Sequence, residues 1–514
     1  MITAITLLVA LGFLGWGFYR ARPFGKLGLV AWLQSAVLIT PWLLFFGLSL
    51  VGIYLNIVSV LFLFLLSTGL YIYLGSRLRS LAQTEVLSRR ASAIAEAQDI
   101  SPSDSASDDL ESLTPTTSSA PVQATKASEA SLESDIIPIP AEDLKAIQSI
   151  FGVDTFFATE TIPYQEGVIL RGNLRGDAET TIAHLSERLL EKVGVSETDP
   201  QQPRYRLFLV EGQDGKPVVI VLPSSRDPQP STPFQKGVAV LLLLATIAAS
   251  LESSGLMLGF DFFTAPNRLA EVLPLALGLL SVLAVHEVGH WLLARRYQVK
   301  LSLPFFIPTW QIGSFGAITR FESVLPNRSV LFDIAIAGPA AGGILSLAML
   351  VTGLLLSHKG SLFQVPTEFF QGSILVGTLT RVVLQESLQQ SIVDVHPLVI
   401  LGWLGLVITA LNLLPAGQLD GGRIVQAIYG RKIAGRTTIG SIVILGLASI
   451  VNPLALYWAI VVLFLQRELE RPSQNELTEP DDTRAALGLL ALFLMIVTLL
   501  PLTPSLAGRL GIGG

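Results

Sequence analysis

Five residues near the middle of the chain, His286-Glu287-Val288-Gly289-His290, bring two imidazoles and a carboxylate within little more than one helical turn. On a helix, His286 and His290 stand about 40° apart around the axis and roughly 6 Å apart along it, so both rings can hold one ion. Glu287 projects beside them, where it can take a proton from water on the metal as a general base instead of ligating. Polar residues snorkelling at a membrane interface would explain Glu287, but not two histidines one turn apart. Catalytic zinc takes three protein ligands and keeps a position for water, so a third ligand must come from elsewhere. The chain has no cysteine, which excludes disulfide scaffolds, thiolate metal sites and cysteine nucleophiles and leaves His, Asp or Glu. Asp420 is the candidate. It lies in Asn412-Leu413-Leu414-Pro415-Ala416-Gly417-Gln418-Leu419-Asp420-Gly421-Gly422-Arg423, where Pro and Gly end an apolar helical run and let the carboxylate point inward. The plain alternative is a loop with an N-capping Asp.

The elements that must carry these ligands belong in a membrane. Of 514 residues, 51% are hydrophobic and 14% charged, too apolar for an ordinary soluble protein. The formal charge is −6, with acids gathered in 98–144 and 467–482, so no basic surface for nucleic acid is implied. About ten apolar runs approach the roughly 20 residues that cross a bilayer: 2–18, 28–51, 54–74, 235–256, 271–294, 330–356, 397–415, 434–450, 453–467 and 484–503. The pair 434–450 and 453–467 is short, and Asn452-Pro453 is either a kink or a re-entrant point, so the expected number of membrane helices is about 8 to 10. The first run has no basic leader and reads as a retained helix. With the N-terminus outside, Arg20, Arg22 and Lys26, then Arg77, Arg79, Arg89 and Arg90, then Arg295, Arg296 and Lys300 all fall inside. The sixth and seventh runs carry the chain out and back, so Asp420 should emerge on the face of His286 and His290. His358 and His396 flank the opposite ends and read as interfacial.

Residues 76–139 are rich in Ser, Ala, Thr, Asp and Glu and have little to bury, so they read as a disordered tether. From 140 to 232 the texture is that of a small soluble α+β domain, with a helix over Thr180–Val193. Tyr205–Val210 and Val218–Leu222 form a hairpin there. Within this domain Gly172-Asn173-Leu174-Arg175-Gly176 follows a strand and precedes a helix. It is a recognition loop, or a tight turn whose glycines supply positive φ. His184, on the helix that follows, reads as a surface or core histidine.

The combination H-E-x-x-H in one membrane helix and N-x-x-P-x-x-x-L-D-G-G in a later one resembles the site-2 protease family of intramembrane metalloproteases. The Gly172–Gly176 segment and the N-terminal extension look like its plant and cyanobacterial branch, the ethylene-dependent gravitropism-deficient and yellow-green proteases. The resemblance covers roughly 160–470. It implies that His286, His290 and Asp420 bind Zn²⁺, that Glu287 activates water, and that Asn412 assists by hydrogen-bonding the substrate or oxyanion. Asn412's plain alternative is a helix-end residue bonding backbone carbonyls. The apolar stretch Leu303–Phe321 is broken by Pro304, Pro308 and Gly313-Ser314-Phe315-Gly316-Ala317. It resembles the family's membrane-associated hairpin, which assigns Gly313, Phe315 and Gly316 to handling an extended substrate by β-addition; the plain alternative is a structural hairpin plugging the bundle. Gly338-Pro339-Ala340-Ala341-Gly342-Gly343 reads as close helix packing.

The expected fold is therefore a polytopic α-helical membrane protein with a membrane-associated β-hairpin and a small soluble α+β domain. Its expected parts are N-terminal membrane helices (1–75), the tether (76–139), the soluble domain (140–232), the catalytic membrane domain (233–503) and a C-terminal tail (504–514). The expected activity is intramembrane zinc-dependent hydrolysis of peptide bonds in membrane proteins that carry a transmembrane helix, within or near the lipid bilayer. A metal-ion transporter and a noncatalytic membrane scaffold or chaperone are the alternatives. The expected location is a cyanobacterial plasma or thylakoid membrane with the catalytic side cytoplasmic.

Overall fold

A computed structural model describes residues 2–50, scattered positions between 63 and 78, and 139–512 apart from 165, 197–201, 213, 310 and most of 450–467. The expected run 54–74, the tether 76–139 and the run 453–467 lie mostly outside the described residues. The chain divides into two units, Met1–Pro121 and Val122–Gly514. In the first, α1 (Ile2–Ala21) and α2 (Gly25–Leu50) are apolar helices joined by a single 3₁₀ turn at Arg22–Phe24. Trp32 on α2 donates to the Leu14 carbonyl on α1, and its ring meets Phe18 edge-on.

The second unit begins with α3 (Ala141–Ser149), β1 (Phe156–Tyr164), β2 (Gly167–Leu174), α4 (Ala178–Val193), β3 (Tyr205–Glu211) and β4 (Pro217–Pro223). The strands form one antiparallel sheet in the order β1-β2-β4-β3. Period-two alternation turns Leu207, Leu209, Val219 and Val221 inward. They pack on Ile182, Leu185 and Leu189, the buried stripe of α4. Asp177 starts that helix, its side chain accepting from the Glu179 and Thr180 amides at 3.0 Å each. Tyr205 donates to Asp143 at 2.9 Å, and burial with this bond pushes the phenol up to about 12. The free edge of β3 is covered by a later segment: Leu209 exchanges backbone bonds with Gln474 and Glu476, while Gln474 and Asn475 donate to Leu325 and Pro326.

The expected turn at Gly172–Gly176 is corrected in part. Gly172, Asn173 and Leu174 belong to β2, and only Gly176, at φ 94°, supplies a turn. Gly172 is small for another reason: a Cβ there would collide with the Phe157 carbonyl beside the bulge at Ala158/Glu160.

There follow α5 (Pro233–Met257), α6 (Leu269–Arg296), a hairpin of β5 (Phe305–Thr309) and β6 (Gly313–Ile318), and α7 (Arg328–Leu356). After them come β7 (Phe363–Pro366), α8 (Ile374–Leu384), β8 (Ile392–Val395), α9 (Pro397–Asn412), α10 (Asp420–Ala448), α11 (Asp482–Leu499) and α12 (Pro504–Arg509). Among the described residues four helices, α5, α6, α7 and α11, are long and apolar enough to cross a membrane. α9 has 16 residues, shorter than a full span, and α10 starts at Asp420, well ahead of the expected 434. Arg423, Arg431, Lys432 and Arg436 hide the first part of α10 from any hydropathy pattern. α10 breaks at Gly430, φ 79°, where buried Arg328 donates to the carbonyls of Ala427 and Ile428 at 2.7 Å each.

The described residues of the expected C-terminal tail, 504–514, include α12 and pack on the fold. Leu502, Ala507 and Ile512 are buried with Phe370, Val376 and Val395. Ile374 and Leu502 tie the chain end to the α8 region by backbone bonds to Leu500 and Gln371. The elements there are too short to stand out in the sequence.

Candidate metal centre

The register of three helices decides which side chains meet. α6 and α7 run antiparallel, Gly289 lying against Ala337 and Gly342 against His286. α7 and α9 are antiparallel too, Gly353 meeting Leu398 and Val399, Gly402 meeting Leu350, and Gly405 meeting Ser346. α9 is therefore parallel to α6, with Leu401 against Gly278 and Gly405 against Val282. Carried one turn further, this register sets Thr409–Asn412 at the level of His286, and the chain turns there into α10. A Cβ on Gly338 would overlap the His290 imidazole, so the α7 backbone forms the wall against which that ring stands.

His286, His290 and Asp420 converge as one buried group. The two Nε2 atoms are 3.1 Å apart, and Asp420 Oδ2 lies 3.2 Å from His286 Nε2 and 3.4 Å from His290 Nε2. Ligands at about 2.0–2.1 Å from a tetrahedral ion are separated by roughly 3.3–3.4 Å, so the three atoms outline one face of a zinc tetrahedron. His290 Nδ1 lies 2.7 Å from the Ile334 carbonyl. A carbonyl only accepts, so Nδ1 carries the proton and Nε2 turns its lone pair toward His286 and Asp420. Two imidazole nitrogens and a carboxylate, facing one another across a gap of this size, fit Zn²⁺ in donor type and spacing.

Glu287, half-buried, does not join the ligands. Its Oε2 accepts from the Thr319 hydroxyl at 2.8 Å. Glu287, His290, Asp420, Thr319 and Asn412 line one small cavity, together with Ala317, Ile318 and the α10 N-terminus. Asn412 Nδ2 donates to the Ile408 carbonyl at 3.1 Å, the plain helix-end bond, and its amide faces this cavity as well. Gly316, φ 110°, lies directly against that amide, where any Cβ would collide with it.

The other two hairpin residues stand apart. Gly313 packs on Ser250 of α5, and Phe315 is buried, its ring centroid 5.6 Å from that of Trp458. His358 lies beyond α7, and His396 caps α9, about 24 Å along the helix from Asn412. His184 is exposed on α4, and Asn173 and Arg175 are exposed far along the chain from the metal ligands. Two residues at the centre were missed. Thr319 follows the hairpin with no motif around it; Arg423, three residues after Asp420 on the same helix face, had that spacing as its signal.

Residues 274–452 match a family model described as peptidase family M50, and residues 145–230 one described as the EGY3 middle domain. The chain is 39% identical over 410 residues to the probable zinc metalloprotease EGY1, chloroplastic, of Arabidopsis thaliana, covering 72% of this chain and 73% of that one. It is 38% identical over 380 residues to the probable zinc metalloprotease EGY2, chloroplastic, of the same plant, covering 71% and 66%. To the probable zinc metalloprotease EGY3, chloroplastic, of Oryza sativa subsp. japonica it is 35% identical over 388 residues, covering 70% and 64%. No solved structure matches. The expectation of a cyanobacterial membrane with a cytoplasmic catalytic side finds no support among these plant relatives, nor does the transporter alternative.

Proposed function

We propose, from the premise that the chain belongs to peptidase family M50 and is a zinc metalloprotease of the site-2 type, a division of labour among its residues. His286, His290 and Asp420 hold the ion, Glu287 moves the proton, and Asn412 orients the scissile carbonyl. When bound, zinc supplies Lewis acidity toward water and a peptide carbonyl. The carbonyl needs a donor at the oxygen where charge develops, and Asn412 keeps a second N–H beyond the one given to Ile408. Glu287, with Oε2 held by Thr319, turns Oε1 to the proton lost by the attacking water and delivers it to the leaving nitrogen. The observation that carries this reading is the 3.1, 3.2 and 3.4 Å spacing of the three ligand atoms beside a carboxylate that takes no part in it.

The substrates of this reading are membrane proteins whose transmembrane helix unwinds before cleavage. Beyond Gly316 the chain passes Ala317, Ile318 and Thr319 along the cavity wall, where an extended segment can add to the end of β6. Gly313 and Phe315 support that strand from behind, so Gly316 is the hairpin residue proposed to face substrate. The α+β region of 140–232 stands in the aqueous phase, the catalytic bundle spans 233–503, and the whole chain crosses the bilayer about 8 to 10 times. The compartment proposed is a chloroplast membrane, after the relatives' printed names. The side carrying Arg295, Arg296 and Lys300 is the one on which the α+β region lies.

The test is Glu287→Gln in purified full-length protein, assayed on a single-span substrate with zinc measured in the same sample. Zinc should be retained and cleavage should fall by about 100-fold or more. Cleavage at the normal rate would remove Glu287 from this role, and a scaffold would tolerate the change.

A further inference from the structure

Glu287 is held by a chain of contacts that leads out of the active site. Thr319 lies between the last β5–β6 pair, Phe305–Ile318, and the bridge at Leu301–Phe321, so it belongs to neither. Its hydroxyl donates to Glu287 Oε2 at 2.8 Å and its carbonyl accepts from Arg423 Nη2 at 2.7 Å. Arg423 is buried. It lies 4.7 Å over the Phe321 ring, and its Nε and Nη2 reach Glu470 Oε2 at 3.1 and 3.0 Å. Its remaining nitrogen, Nη1, stands 4.0 Å from Asp420 Oδ1, the oxygen turned away from the histidines.

The charges explain why the guanidinium stays where it is. A buried cation needs a carboxylate, and Asp420 has its Oδ2 committed to the histidine pair. Glu470, buried as well, supplies the counter-charge from the segment that precedes α11. The planar guanidinium fork then fixes the Thr319 peptide relative to Glu470, as a flexible ammonium would not. Glutamate on a helix has three free torsions, and one hydroxyl bond at a set position selects which oxygen faces the cavity.

We propose that Thr319 and Arg423 are positioning residues for the reaction, Arg423 anchored on Glu470 and holding Thr319 so that its hydroxyl aims the Glu287 carboxylate. This rests on Glu287 being the general base, and it adds that a segment outside the membrane helices sets the geometry of that base.

The experiment is kinetic, on purified full-length protein with a single-span substrate, kcat and KM being separated and zinc measured in each sample. Thr319→Val keeps the side-chain shape and removes the hydroxyl, Thr319→Ser restores the hydroxyl, and Arg423→Lys keeps the charge without the fork. Thr319→Val should lower kcat by about 10- to 100-fold with zinc content and KM unchanged. Thr319→Ser should return to within a few-fold of the parent, and Arg423→Lys should lower kcat in the same direction. Wild-type kcat in Thr319→Val, equal losses in Val and Ser, or a loss that follows zinc content would each overturn the proposal. Wild-type kcat in Thr319→Val beside an inactive Glu287→Gln sinks the relay and leaves the base; an active Glu287→Gln sinks the base.

Discussion

In the four-stranded sheet, position is set by large side chains turned inward, whereas in α6, α7 and α9 it is set where a side chain is missing. Leu207, Leu209, Val219 and Val221 alternate with outward residues and meet the buried stripe of α4. Gly289, Gly338, Gly342, Gly353, Gly402 and Gly405 mark the contacts that register the helices, and around them Leu and Ile point outward. The difference follows from the solvent. In water, removing apolar surface is worth about 25 cal/mol per Å², so large inward residues both drive and specify the fold. Lipid is as apolar as leucine, so apolarity cannot choose between partners, and close approach at small residues must do so.

The comparison is broken most severely at Gly338. Gly338→Ala puts a methyl into the His290 ring, so zinc content and cleavage should fall at least about 10-fold while helix content by far-UV circular dichroism is unchanged. Gly237→Ala, on α5 where nothing lies within 4 Å, should leave both untouched. Equal zinc in the two variants would show that α7 does not set the ligand. Chelation should act on the same region alone: activity is lost, zinc restores it, and the sheet keeps its resistance to protease. In the sheet the rule reverses, and Leu209→Ala should cost about 2–5 kcal/mol locally, read as faster proteolysis of 140–230 with zinc still bound.

What was legible in the sequence divides along the same line. H-E-x-x-H announced a pair of ligands because helix geometry alone brings residues four apart together. Asp420 was legible because Pro415 and the glycines around it end an apolar run. Thr319 was not, since its position depends on where a hairpin's pairing is interrupted and on an arginine a hundred residues away. The early start of α10 was masked by its arginines, and the fold of 357–396 with 502–512 by the shortness of its elements, none longer than the 11 residues of α8. In the sheet, alternation disclosed the β3–β4 hairpin, but the Gly172–Gly176 motif misled: a glycine needed for close approach looks the same as one needed for a turn.

That ambiguity gives the next test, smaller than the last. Gly172→Ala has a permitted backbone but no room, so it should loosen β1 from β2 and raise amide exchange at Phe157 and Glu160. Gly176→Ala has room but an unfavourable φ, so it should cost about 1 kcal/mol without changing exchange in β1. If both behave alike, the motif is a turn throughout.

The smallest effect is expected where the sheet region uses polar contacts. Tyr205 holds its proton up to about 12 because burial and the bond to Asp143 both disfavour the phenolate. Its folded pKa is raised above the unfolded one, so its contribution is complete below about pH 10 and is lost as pH rises toward 12. Tyr205→Phe removes one buried hydrogen bond, so it should cost about 1 kcal/mol near neutral pH. The deficit should narrow above pH 10, because the parent loses there what the variant never had. Arg204, 3.0 Å from Asp143, keeps that carboxylate paired in the variant and holds the loss near this size. A deficit that stayed constant to pH 12 would mean the phenol's proton is not what joins β3 to α3.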